Sequence, residues 1–393
     1  MKNSRKPSRH LLSLGLLGLT LTLTLSACME NTLGKLPTPL TNAATPDSQT
    51  AIAQLEGSIG SGPVANATIT VSDHNGTPLK TVLGDDKGHY AFRARFDASA
   101  FPLILRAEGG LDLVTLERSD LTLMAAATAS AATGQANITP YSTLITKLAQ
   151  RLMGGISETN LKRASQIVTA ELNLGLYGPL KEDPVTTPIN ATNIHIMLKC
   201  SKSLGELIDR TQRSLAKAGD QTTANDIVDA LVSDLADGRL DGLGNRGTQA
   251  KISALAQLIA GQIALEALTN NLKIRGHTAT AAMDTTIATL FPHGQSKTKD
   301  VFISADLIHQ ALSSITVANQ IIPSPYLEML TTKLTTLPPY SQPKRIKREL
   351  PADASNYLTE VIRYVARASD DEIRYINILA SSAHSLPEMP VSS

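Results

Sequence analysis

The sequence predicts a multidomain protein in which a small antiparallel β-sandwich precedes an all-α helical domain. Two patterns carry this prediction. Between residues 51 and 124, apolar side chains alternate with polar ones in short segments broken by turn residues, which is the period of half-buried strands. From residue 139 to 383, apolar residues recur at intervals of three and four, which is the period of amphipathic helices.

The chain begins with a charged segment and then its longest apolar run. MKNSRKPSRH holds four basic residues and no acid, and LLSLGLLGLTLTLTL follows it. The apolar run is shorter than the roughly 20 residues that a membrane-spanning helix needs, and it ends on small residues. This order is typical of a secretory signal peptide, so we predict a cleaved signal peptide over residues 1–27.

The motif Leu25-Ser26-Ala27-Cys28 ends this region. It resembles the lipobox of bacterial lipoproteins, a branched aliphatic residue and two small residues before a cysteine. The resemblance implies that the Cys28 thiol receives a diacylglyceryl group, that cleavage occurs in front of Cys28, and that palmitate-type acyl chains anchor the protein. Two or three such chains hold a protein stably on a membrane. The alternative is a chance cysteine at the end of a plain secretory signal.

The residue after the cysteine bears on the location. Met29 stands where an aspartate would, by the same resemblance, favour retention in the inner membrane. We therefore expect a lipid-anchored protein of the bacterial cell envelope, in the outer membrane. Residues 28–50 are rich in Thr, Pro and Asn without a sustained period, which predicts a flexible tether.

Charge and cysteine content exclude some functions. Without residues 1–27 the chain holds 32 basic and 35 acidic residues, and this mildly acidic balance argues against a nucleic-acid partner. Cys200 has no cysteine left to pair with once Cys28 is alkylated. It lies at helical spacing from Met197, Leu198 and Leu204, so we expect a buried, inert thiol.

The β region has two clear strand patterns. In ATITVSD the set Ala67, Ile69 and Val71 alternates with hydroxyl residues, and in HYAFRARF the set Tyr90, Phe92, Ala94 and Phe96 alternates with Ala91, Arg93 and Arg95. Turn residues at 75–76 and 85–88 separate the strands. The glycine-rich residues 57–62 precede Pro63 and another strand rather than a helix, which favours a β-turn over a phosphate-binding loop.

Residues 51–124 resemble a known domain family on these motifs. Gly62-Pro63-Val64 before the ATITV strand, the Asn75-Gly76 turn and the run DDKGHYAF resemble the carboxypeptidase regulatory-like domain, although Gly84 stands where threonine is usual. The resemblance implies a prealbumin-like, Ig-like β-sandwich that packs and presents and is not itself catalytic.

An alanine-rich segment over residues 125–138 is predicted to be a linker, and residues 384–393 are predicted to be a disordered tail.

The helical domain begins at Thr139, a suitable helix cap, and Pro140, which suits the first helical position. Its stripes include Leu144, Ile145, Leu148 and Leu152; Leu161, Ala164, Ile167, Val168 and Leu172; Ile227, Val228, Leu231, Val232 and Leu235; and Ile252, Leu255, Ile259 and Ile263. The segments NITPYSTLI and VSDLADGRLDG resemble parts of uncharacterised bacterial lipoproteins.

Candidate metal ligands are weak. Asp234, Asp237 and Asp241 lie where a helix runs into a loop, but they lack the alternate acids and later glutamate of an established calcium loop. A helix end with solvated carboxylates is the preferred interpretation. His277, His293 and His309 recur every sixteen residues without the close ligand pair of a zinc site. We therefore expect neither a metal nor another cofactor.

The run Pro343-Lys344-Arg345-Ile346-Lys347-Arg348 is a dense basic patch between proline-rich segments. We interpret it as a solvated linker, with contact to anionic lipid as the alternative.

The sequence as a whole favours a non-catalytic binding or scaffold lipoprotein whose partners are the membrane, through Cys28, and an envelope protein or anionic lipid. The alternative is an enzyme with its site in the helical domain or at the domain junction.

Overall fold

The computed structural model has strands in its N-terminal part and helices in its C-terminal part, which confirms the predicted order. It describes residues 49–383 apart from 119, 175, 177–182, 245–246, 293–303, 338–345 and 347. The strands are β1 (Thr50–Ser58), β2 (Val64–Ala65), β3 (Thr68–Ser72), β4 (Pro78–Leu83), β5 (His89–Asp97), β6 (Leu103–Glu108), β7 (Leu111–Asp112), β8 (Glu117–Arg118), β9 (Leu123–Ala127), β10 (Thr133–Gln135), β11 (Lys273–Ile274) and β12 (His277–Thr278).

Three sheets make up the β region. Their strand orders are β10-β1-β5, β4-β3-β6-β9 and β2-β7-β8. β11 and β12 form a separate antiparallel hairpin within the helical region. The sheets are antiparallel as predicted, with one difference: β10 runs parallel to β1. A parallel neighbour requires a long connection, and here the chain passes through every other strand of the β region before returning to β1.

The first two sheets contribute to one apolar core. On β5, Tyr90 is 2% exposed and Phe92 is 8% exposed. Arg93, which follows Phe92 and points to the other face, is exposed. Ile69 and Val71 on β3 are fully buried in the same cluster. Successive side chains of a strand point to opposite faces, so the alternation in the sequence sets this burial. The predicted register of both strands is confirmed.

The segment 125–138 differs from the predicted linker. Its first residues complete β9, which pairs with β6, and residues 133–135 form β10 beside β1. Ala125 and Ile138 are fully buried. The side chain of Asn137, also fully buried, donates to the Pro184 and Thr187 carbonyls at 3.1 and 2.8 Å. Small side chains hide the alternation in the sequence, but they fit between two packed layers.

The helical region follows directly. Its helices are α1 (Pro140–Arg151), α2 (Glu158–Leu172), α3 (Ile194–Lys217), α4 (Ala224–Asp234), α5 (Ala250–Leu268), α6 (Thr280–Leu290), α7 (Ala305–Ile321), α8 (Pro325–Thr335), α9 (Thr359–Arg367) and α10 (Asp370–Ala383). The Thr139 hydroxyl accepts a hydrogen bond from the Ser142 amide at 3.2 Å, so the predicted start of α1 is confirmed. Helix α9 ends at Arg367, and α10 begins at Asp370.

Helix α5 lies in the core of the helical region. Among the described residues it is the one helix long and apolar enough to cross a membrane, but 83% of that stretch is buried inside the protein. It packs against α3, α7 and α9. A helix that is apolar on all sides is typical of a protein core.

The described residues form one compact unit of contacts, in which the β region packs directly on the helices. Cys28, residues 1–27, nearly all of the 28–50 tether, His293 and residues 384–393 lie outside the described residues. So does the basic run 343–348, apart from two positions. Of these, Ile346 is fully buried and Arg348 is exposed.

Candidate functional site

The glycine-rich loop after β1 packs on helix α3. Gly60 adopts a φ of +117°, which favours glycine, and its carbonyl accepts a hydrogen bond from the Ser201 hydroxyl at 3.2 Å. Gly205 allows α3 to approach closely, since a Cβ there would lie 2.7 Å from the Cβ of Ser61. Pro63 and β2 follow the loop as expected, so it is a turn between strands.

A buried ion pair lies beside this loop. The Lys202 ammonium is 2.5 Å from the Asp112 carboxylate, and the two side chains are 6% and 7% exposed. The other carboxylate oxygen of Asp112 accepts from the amides of Val114 and Thr115 at 2.9 and 3.0 Å. The pair therefore joins α3 to the turn after β7. The sequence motifs did not predict this pair, although a lysine on the apolar face of α3 was a usable signal.

A cavity of about 360 Å³ lies where the loop, α3 and the end of α6 meet; we call it the junction cavity. Its volume falls in the range of about 300–1,000 Å³ of small-molecule sites. Its apolar wall includes Ile59, Pro63, Ile189, Met197, Leu198, Leu290 and Phe291. Its polar lining includes Asp85, Lys87, His89 and Ser201.

The polar residues of the junction cavity are arranged around the turn before β5. One carboxylate oxygen of Asp85 accepts from the Lys87 and His89 amides at 2.9 and 2.7 Å, so this carboxylate fixes the turn. Lys87 is exposed and His89 is half-buried. Among the described lining residues Asp85 is the single carboxylate and His89 the single imidazole. Glycoside hydrolysis uses a pair of carboxylates, and the described lining holds one.

Cys200 also lines the junction cavity, and it is 1% exposed. Burial raises the pKa of the thiol to about 12, although the charge of Lys199 opposes this shift. The thiolate is the nucleophilic form of cysteine, and it is scarce at neutral pH when the pKa is this high. The structure places Cys200 as a buried apolar residue, in agreement with the sequence analysis.

The three candidate aspartates stabilise the loop after α4. The carboxylate of Asp234 is fully buried and accepts from the Gly242 and Gly244 amides at 2.9 and 3.3 Å. Burial raises the pKa of Asp234 despite these hydrogen bonds. Asp237 and Asp241 accept from backbone amides two residues further on.

Within the part of the chain that the structure describes, no group of three His, Cys, Asp or Glu residues could hold a metal ion. The three aspartates of the α4 loop are thus bound to backbone amides rather than gathered around a cation site. His277 lies on β12 and His309 on α7.

Comparisons with known proteins give no relative. No family model matches the chain, and searches of the curated proteins and of the solved structures find no match.

Proposed function

We propose that this chain is a lipid-anchored protein of the bacterial outer membrane that binds a small amphipathic molecule in the junction cavity and does not convert it. The β region serves as a prealbumin-like sandwich of the carboxypeptidase regulatory-like kind. The lipobox at Cys28 supports the anchor. The core shared by the β10-β1-β5 and β4-β3-β6-β9 sheets supports the sandwich.

One observation carries the binding role: the junction cavity has an apolar wall on one side and a polar edge on the other. Apolar area removed from water stabilises a bound ligand by roughly 25 cal/mol per Å², whereas the polar edge sets its orientation. The Lys87 ammonium at that edge favours an acidic head group, since the Asp85 carboxylate is already engaged by two backbone amides. The ligand class is therefore a compact apolar body with one acidic group.

A non-catalytic role fits the chemistry of the described lining. Its thiol is buried and mostly protonated at neutral pH, and its one carboxylate is engaged by two backbone amides. Several converging acids or histidines would instead favour an enzyme.

The test uses the lipid-free chain, residues 28–393 with Cys28→Ser, and the fluorescent amphiphile 1-anilinonaphthalene-8-sulfonate with decanoate as competitor. We expect saturable binding that decanoate reverses. Ile189→Trp fills the cavity and Lys87→Glu repels the acidic group, so both weaken binding at least fivefold. Lys80→Glu, an equal charge change at an exposed position of β4 away from the cavity, is the matched control.

Equal affinity in the parent and Ile189→Trp would overturn the assignment to the junction cavity. A chemically altered competitor after incubation would favour the enzyme alternative.

A further inference from the structure

A second concave site lies on the helical region, away from the junction cavity. The C-terminal halves of α3 and α5, the β11 turn and α9 enclose a groove of about 320 Å³, which we call the cationic groove. Six basic residues line it: Arg210, Arg213, Lys217, Lys273, Arg363 and Arg367. Two described lining residues are acidic, Glu206 and Glu266.

The base of the cationic groove is a closed ionic network. Arg210 donates to both carboxylate oxygens of Glu266 at 3.1 and 2.8 Å and to Glu206 at 2.8 Å. Burial opposes the charge of Arg210, but these hydrogen bonds outweigh it and raise the pKa of the guanidinium. The positive charge of Arg210 is thus already balanced by the carboxylates of Glu206 and Glu266. The Arg210 side chain holds α3 against α5.

The edge of the groove has positive charge in excess. Arg213 is shared between Glu206 and Asp209, and Arg363 pairs with Glu360. In contrast, Lys217, Lys273 and Arg367 form no ion pair with a described carboxylate. The side chains of Lys217 and Arg367 are exposed.

The excess is unusual for this protein. Even when Asp209 and Glu360 are counted with the groove, the cations outnumber the carboxylates by two, whereas the chain after residue 27 has more acidic than basic residues. Concentrated cations that lack partners repel one another, and a bound anion removes that cost.

We propose that the cationic groove binds a phosphate-bearing anion with two or more phosphate charges. Guanidinium groups match phosphate oxygens through paired hydrogen bonds, and lysine adds mobile point charges. The net excess of two positive charges suits a ligand that carries at least two negative charges. The described lining has no aromatic side chain on which a nucleic-acid base could stack, so nucleic acid is a poor fit.

The ligand chemistry has two sources, a free phosphate compound and a phosphorylated lipid head group. The test titrates the lipid-free chain (residues 28–393, Cys28→Ser) with phosphate, pyrophosphate and tripolyphosphate by calorimetry. We expect affinity to rise at least tenfold from phosphate to tripolyphosphate and to fall with added salt. A parallel arm measures flotation with vesicles that contain lipid A, whose head group carries phosphate, against phosphatidylcholine vesicles.

Lys217→Glu/Arg367→Glu should weaken tripolyphosphate binding at least tenfold. The matched control is Lys162→Glu/Arg163→Glu, an equal charge change at exposed positions of α2. Lys217→Gln/Arg367→Gln tests the same site with a smaller change if the reversal variant unfolds. Binding lost in both groove variants and kept in the control supports the proposal. Equal loss in groove and control variants, or no binding by the parent at millimolar tripolyphosphate, overturns it.

Discussion

The ammonium of Lys202 lies 2.5 Å from the carboxylate of Asp112, 90 residues earlier in the chain. One group lies on α3 and the other at the end of β7, so the pair bridges the helical and β regions. Both side chains are almost fully removed from water. Such a pair gains little over an apolar pair of the same shape, but a single buried charge without its partner is costly.

Breaking this pair should destabilise the protein. We expect Lys202→Met to lower the free energy of unfolding by about 3–5 kcal/mol, because it leaves the Asp112 carboxylate buried without its partner. Urea unfolding followed by circular dichroism measures the change. Lys202→Met/Asp112→Asn, which keeps the acceptor for the Val114 amide, should recover part of the loss. A single variant as stable as the parent would contradict this account.

The strand register on β5 gives a second prediction. Phe92 is buried in the β core and Arg93 is exposed on the opposite face. Phe92→Ala should cost about 3–5 kcal/mol in unfolding free energy, because it removes apolar burial and leaves a cavity. Arg93→Ala should change stability by less than about 0.5 kcal/mol. Comparable losses in the two variants, measured by urea denaturation, would show that the burial on β5 is wrongly assigned.

The sequence predicted those parts of the fold in which large side chains make the period visible. Tyr90 and Phe92 mark one face of β5, and Thr139 and Pro140 mark the start of α1. The segment 125–138 shows the limit of this reasoning. Its alanines are apolar but small, so no alternation stands out. Its strands form because β6 and β1, both outside the segment, offer pairing partners.

The sites were less predictable than the fold, since each is built from distant segments. Lys202 stands out locally as a charge on an apolar helix face, but nothing near it in the sequence identifies Asp112. The cationic groove likewise combines residues of α3 and α9. In the sequence, the basic residues of each helix alone indicate an ordinary solvated helix surface. The packing of these two helices on α5 and on each other brings their basic residues together.

The thiol of Cys200 should not react in the folded protein. Burial and a pKa of about 12 leave almost no accessible thiolate at pH 8. We expect no labelling by 5,5′-dithiobis(2-nitrobenzoic acid) in native buffer and one thiol per lipid-free chain (residues 28–393, Cys28→Ser) in guanidinium chloride. Rapid labelling without denaturant would show that the junction cavity opens around α3.

The lipid anchor is tested at its attachment residue. Cys28→Ser removes the thiol that the lipobox resemblance assigns to the diacylglyceryl group, so the variant should lose membrane association. Fractionation of cells and intact-mass analysis of the product measure this outcome. The parent should begin at Cys28 and carry acyl mass. A parent chain that begins elsewhere, or carries no lipid mass, would refute the anchor.

The buried carboxylate of Asp234 predicts a pH-dependent stability. Burial raises its pKa in the folded protein above the ordinary 3.8, so the folded state favours the protonated form. Stability associated with this group is therefore fully present below the unfolded pKa and is lost as pH rises through the folded pKa.

Asp234→Asn cannot ionise and should escape that loss. It also gives up one acceptor for the Gly242 or Gly244 amide, which lowers its stability by an amount independent of pH. The difference in unfolding free energy between Asp234→Asn and the parent should shift in favour of the variant between pH 4 and pH 7, as measured by urea denaturation at both values. A difference that stays constant would mean that the carboxylate has the same pKa in the folded and unfolded chains.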